Sequence, residues 1–74
     1  MARTLHLLKG EDNTLAAATI ARQLAAGDTV RVVALPGTRV PSLPAGLAVS
    51  RAPDEISWAQ VLAAMFEADQ VIAW

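Results

Sequence analysis

The alternation of apolar and polar positions divides this chain into four short strands and two helices. The predicted strands are 4–8, 29–35, 47–51 and 70–74, and the predicted helices are 14–26 and 58–68. In the second strand, valines and a leucine surround a single Arg31, a near-continuous apolar run that favours a strand buried inside a parallel sheet. Gly27 follows the first helix at the position where helices often end on glycine.

The second helix has the clearest local signals. Ser57 and Gln60 form a capping box, and Ile56 is placed to pack against Val61 in the first turn. The large apolar residues recur at spacings of three and four and therefore share one stripe of the helix: Trp58, Val61, Leu62, Met65 and Phe66. The segment 70–74 is too short for another helix and rich in strand formers, so we expect the chain to end within its own sheet.

The segment 36–46 is predicted to be a loop, because it contains three prolines and two glycines. The remaining elements form two strand–helix–strand units. We therefore predict one domain over residues 1–74, a small three-layer α/β fold with four mostly parallel strands in the order 2-1-3-4 and no middle crossover helix. This pattern resembles a shortened flavodoxin-like domain. The short connection leaves an antiparallel third strand as the alternative.

A missing crossover helix would leave part of one sheet face uncovered. Right-handed crossovers would place the two helices on opposite faces, and the missing helix would have covered the face of the second helix. Both faces of a parallel sheet are apolar. We therefore hypothesise that the loop 36–46 and a partner subunit cover this face together.

Composition adds an argument for a partner. A domain of 74 residues buries about 60% of its unfolded surface. Hydrophobic residues nevertheless make up 54% of the chain, above the usual 45–50% or so. A second subunit would bury the excess, although an alanine-rich monomer is the alternative.

Charge and residue usage exclude several functions. The six basic and seven acidic residues are scattered, which argues against direct nucleic-acid binding. The longest uncharged helical run is about half a membrane span, so we expect a soluble, cytoplasmic protein. The chain contains no cysteine, so it can carry no thiol or persulfide chemistry itself. Without a credible nucleophile, we do not expect an enzyme.

The best candidate ligand site is the edge of the sheet at the carboxyl ends of the strands, where open α/β sheets bind ligands. Lys9, Arg39 and Arg51 could meet a small anion there, with the backbone at Asn13 supplying the positive end of a helix. The alternative is a solvated loop in which Asp12 or Asn13 caps the helix, since acidic residues at this position would repel phosphate.

Three ring-bearing side chains are candidates for packing or interface roles. His6 is the single histidine, so a metal site built by this chain is not expected, and no cofactor is predicted. A core or interface position for His6 is favoured over catalysis. Trp58 suits the core or an interface. For Trp74 an interface is favoured over packing within the chain, with its carboxylate near Arg51 or an arginine of a partner.

Both ends of the chain resemble the DsrH/TusB family of small sulfur-relay subunits. The matching segments are Leu5-His6-Leu7-Leu8, Ile56-Ser57-Trp58, Val61-Leu62 and Ala73-Trp74. The resemblance covers roughly the first 35 and the last 20 residues, and the middle departs from the family.

The resemblance implies partners and a function. It implies a complex with DsrE/TusD-like and DsrF/TusC-like subunits, in which persulfide on a cysteine is passed toward tRNA wobble-uridine 2-thiolation or sulfur oxidation. Because this chain lacks cysteine, its implied role is that of a non-catalytic subunit. The alternative is a stand-alone binding module for a small anionic ligand, which would form a homo-oligomer without cysteine-bearing partners.

Overall fold

The computed structural model describes residues 2–44, 47 and 49–74, and within them a four-stranded sheet lies between two helices. The elements are β1 (Arg3–Leu8), α1 (Thr14–Ala25), β2 (Thr29–Ala34), β3 (Val49–Arg51), α2 (Trp58–Glu67) and β4 (Gln70–Ala73). All three strand pairings are parallel, which confirms the predicted α/β class and excludes the antiparallel third strand. Residues 36–44 form no helix or strand, as predicted. Ala45 and Gly46 of the predicted loop, and Ala48 of the predicted third strand, lie outside the described residues.

The strand order is β3-β2-β1-β4, so the predicted order 2-1-3-4 is wrong. β3 pairs with β2, with Val49 beside Val32, and β4 takes the remaining edge of β1, with Val71 beside Leu5. When β3 lies beside β2, the helix-free connection between these two strands spans only one strand spacing of about 4.8 Å. In the predicted order the same connection would have to pass over β1.

The observed strand order also places the β2–β3 connection on a different face of the sheet from the predicted one. Ile20 of α1 packs in one cluster with Leu8 and Val32 of the sheet, and Leu43 and Leu47 of the connection join the same cluster. The prediction that this connection covers the face of the second helix is therefore wrong. Because β3 continues the sheet in the direction set by β1 and β2, a right-handed crossover remains on the face of α1.

The helix α2 packs on the opposite face through small side chains. Val61 and Ala64 are buried against Leu5 and Val33, and Ala68 packs beside them. Because the alanines face the sheet, most of the bulky residues of α2 lie on the sides of the helix that do not contact the sheet. Of the predicted apolar stripe, Val61 is buried, whereas the other four members, Trp58, Leu62, Met65 and Phe66, are exposed.

The predicted start of α2 is confirmed in detail. The backbone N–H of Gln60 donates to Ser57 Oγ at 3.1 Å, and the Ser57 N–H donates to Gln60 Oε1 at 2.7 Å. Ile56 packs against the cluster that contains Val61. In the described part of the chain, no helix is long and apolar enough to cross a membrane.

Candidate functional site

His6 is joined by hydrogen bonds to both α1 and the end of the chain. Its side chain is fully buried in β1. Its Nε2 lies 2.6 Å from Oε1 of Gln23 in α1, and the indole Nε1 of Trp74 lies 2.9 Å from its Nδ1. The His6 and Trp74 rings are nearly parallel, with 12° between their planes and 6.0 Å between their centroids.

These partners determine the tautomer of His6. An indole N–H can only donate, so Nδ1 must be the acceptor and the proton of the neutral ring must sit on Nε2. Nε2–H then donates to the Gln23 carbonyl oxygen. With both nitrogens engaged, the ring has neither a free lone pair for a metal ion nor a free proton for acid catalysis while Trp74 is in place.

This geometry places His6 and Trp74 in the packed part of the domain. Trp74 is partly buried by its own chain and packs against the α1-side cluster. The predicted interface roles of His6, Trp58 and Trp74 remain predictions. For His6 such a role would have to act through Trp74, because His6 itself has no exposed surface.

At the carboxyl edge of the sheet, the loops after β1 and β2 are tied together. The Arg39 N–H donates to the Gly10 carbonyl at 2.9 Å, and the Thr38 hydroxyl donates to the Leu8 carbonyl at 2.8 Å. Gly10 adopts a φ of 80° and Gly37 a φ of 78°, left-handed values that glycine accommodates without strain. The two loops therefore form one braced edge that contains Lys9 and Arg39.

Asn13 braces this edge through its side chain. Its Nδ2 donates to the carbonyls of Gly10, at 3.3 Å, and Arg39, at 3.2 Å. The side chain is buried, so its amide hydrogens serve the loop contacts. Of the four predicted ligand residues, the structure brings the Lys9 loop, Asn13 and Arg39 together. Arg51 ends β3, two strand positions from β1, or about 10 Å across the sheet.

Asp12 occupies the start of α1. Its Oδ1 accepts hydrogen bonds from the Thr14 hydroxyl at 2.9 Å and from the Thr14 N–H at 3.2 Å. These bonds, the side-chain one first, lower the pKa of Asp12 from its ordinary value of 3.8. The carboxylate therefore uses a helix N–H that an external anion would need, in agreement with the alternative of a capped, solvated loop.

A shallow cavity of about 70 Å³ lies on the α2 side of the sheet, away from the predicted edge. Its wall includes Arg3, Thr29 and Arg31 of the strands and Glu67 of α2. Small-molecule sites usually have volumes of about 300–1,000 Å³, so this cavity is too small to enclose a nucleotide-sized ligand. Among the described residues, no group of three or more His, Asp or Glu side chains could hold a metal ion.

The exposed side of α2 is the feature that sequence reasoning missed. Phe66 is 82% exposed, Leu62 53% and Trp58 51%. Met65 and the neighbouring Val71 of β4 are each 37% exposed. We call these five side chains the α2 apolar surface. A helix that is apolar on several sides is normally buried, and this signal was available in the sequence, where Glu67 is the one charged residue of α2.

No family model matches this sequence, and no curated protein or solved structure is significantly similar to it. Its function is therefore inferred from its own residues.

Proposed function

We propose that this chain is a non-catalytic subunit of a sulfur-relay assembly. The observation that carries the proposal is the α2 apolar surface, whose large side chains are left exposed by the chain itself. Depletion of charge combined with enrichment of Trp, Phe and Met is typical of the centre of a protein interface. An assembly subunit needs such a surface, whereas an isolated soluble domain does not.

The resemblance to DsrH/TusB subunits supports the sulfur-relay part of the proposal. Two of the segments that resemble this family are in direct contact, since the Trp74 indole donates a hydrogen bond to His6. A third segment contains Ser57, which caps α2. With no cysteine in this chain, persulfide would be carried by DsrE/TusD-like and DsrF/TusC-like partners in the cytoplasm. This subunit would complete the oligomer and help shape the thiol pocket of a partner. The sulfur would go toward tRNA wobble-uridine 2-thiolation or sulfur oxidation.

Affinity purification of the tagged chain from its host, with mass spectrometry and light scattering, tests this proposal. We expect small cysteine-bearing subunits to co-elute in a defined ratio. The variant Phe66→Glu should lose them, because it places a charge in the α2 apolar surface. Leu15→Glu is the matched control, since Leu15 is 73% exposed on α1 instead. Elution without any cysteine-bearing subunit would contradict the proposal.

A stand-alone oligomeric module for a small anionic ligand is the second candidate. The braced edge favours it, because the Gly10–Arg39 hydrogen bond holds two loops with basic residues side by side. NMR titration with inorganic phosphate tests it. Binding should shift the amide signals of residues 9–14 and 37–39 and should weaken in Arg39→Ala but not in Arg3→Ala. An absence of shifts at these amides would exclude phosphate as a ligand.

A further inference from the structure

We propose that two copies of this chain pair through the outer edge of β4 and the α2 apolar surface, forming a symmetric dimer with a continuous eight-stranded sheet. This inference rests on the proposed role as an assembly subunit and identifies the first partner as a second copy of the chain. It uses two independent features of the structure, an open strand edge and an apolar helix flank beside it.

The outer edge of β4 is available for pairing. β4 is the last strand in the order and pairs with β1 along its inner side. The N–H of Trp74 donates to the Leu7 carbonyl, so the N–H groups of Val71 and Ala73 point the other way, because successive residues of a strand alternate. The four residues of β4 include no charge and no proline, the features that commonly prevent edge pairing.

The apolar flank of α2 lies on the side of this open edge. One flank of α2 lines the small cavity with Glu67, Ala64 and Ala68. The same cavity is lined by Thr29 and Arg31 of β2, so this flank of α2 faces β2. At 100° per residue, Trp58, Leu62 and Met65 project from the opposite flank, toward β4. Val71 belongs to the same surface, because its register partner Leu5 packs beneath α2.

The area and chemistry of this surface suit a second copy. Its five side chains expose about 500 Å² of largely apolar area, and the β4 edge extends it toward the roughly 800 Å² per partner of a standard interface. A two-fold axis perpendicular to the sheet would align the β4 strands antiparallel and bring the two α2 helices together on one face. Glu67, the one charged residue of α2, lies on the β2 flank and so stays away from this contact.

Sedimentation equilibrium of the isolated chain over a wide concentration range tests the inference. We expect a species of twice the 7.8 kDa chain mass. Leu62→Glu should weaken dimerisation on the order of 100-fold, because it would bury an unpaired charge in the interface. Leu15→Glu should leave it unchanged, and circular dichroism should show both variants folded, since both positions are exposed.

Amide hydrogen exchange tests the pairing mode. The amides of Val71 and Ala73 should be protected in the wild-type dimer and should exchange faster in Leu62→Glu at the same concentration. A wild-type chain that is monomeric at every concentration would overturn the inference, as would a dimer in which these two amides exchange freely.

These outcomes are separable from those for the sulfur relay. A monomer that still captures cysteine-bearing subunits would overturn self-pairing and leave the proposed function standing. A dimer with protected β4 amides that captures no such subunit would support self-pairing and contradict the relay.

Discussion

The indole N–H of Trp74 donates a hydrogen bond to Nδ1 of His6 over 2.9 Å, joining residues 68 positions apart in the sequence. The bond lies beside the pairing of β4 with β1 and connects it to α1 through Gln23. His6 is thus the point at which three elements of the domain are held together.

Removing the indole donor should destabilise the domain. In Trp74→Phe, Nδ1 of a fully buried His6 would lose its partner, and we expect the free energy of unfolding to fall by about 1–3 kcal/mol. Urea unfolding followed by circular dichroism measures this. Trp58→Phe is the control and should change stability by less than about 0.5 kcal/mol, because Trp58 is half exposed and its indole has no hydrogen-bond partner within the part of the chain that the structure describes. Equal effects of the two variants would contradict the assigned role of Trp74.

The tautomer of His6 is a second expected observable. Long-range ¹H–¹⁵N correlation spectra should show the ring proton on Nε2 and an unprotonated Nδ1, because Nδ1 accepts from Trp74. In Trp74→Phe this preference should weaken. A wild-type ring protonated on Nδ1 would exclude the hydrogen bond described above.

Asn13 should stabilise the braced edge through its donors. Asn13→Ala removes two hydrogen bonds to loop carbonyls, and we expect a loss of about 1 kcal/mol in urea unfolding. Asn13→Asp should cost more, because a carboxylate would face the carbonyl oxygens of Gly10 and Arg39. If Asp were tolerated better than Ala, the Nδ2 contacts would not be the stabilising ones.

Thr4 offers a stabilising substitution. Its Oγ1 is buried and has no hydrogen-bond partner among the described residues, so the hydroxyl is desolvated without compensation. Thr4→Val should raise the free energy of unfolding by about 1 kcal/mol. Thr38→Val is the contrasting variant and should destabilise, because the Thr38 hydroxyl donates to Leu8. A loss of stability in Thr4→Val would show that the hydroxyl is bonded in solution.

Asp12 should contribute to the pH dependence of stability. Its pKa is lowered in the folded state, so its stabilising effect is present above its ordinary value of 3.8 and is lost as the pH falls through the lower folded value. Asp12→Asn should therefore melt at a lower temperature than wild type near neutral pH, and the gap should close in strong acid. Glu11→Gln is the control, because it removes a neighbouring charge and keeps the bonds to Thr14. A gap that does not change with pH would contradict this role of Asp12.

The sequence by itself determined the local structure of this protein. Ser57 and Gln60 specified the start of α2, Gly27 followed the end of α1, and the apolar run around Arg31 indicated a strand in a parallel sheet. These features depend on interactions within a few residues, which is why they are readable from the sequence.

Only the tertiary structure decided the strand order, the use of α2 and the pairing of His6 with Trp74. The order depends on whether β3 or β4 pairs with the edge of β1 that β2 leaves open, a choice between contacts distant in sequence. Because Ala64 and Ala68 permit close packing on the sheet, α2 turns Leu62 and Phe66 outward instead of into the core. Periodicity showed that these residues share a stripe, but the free energy of packing against the whole sheet determined which stripe was buried.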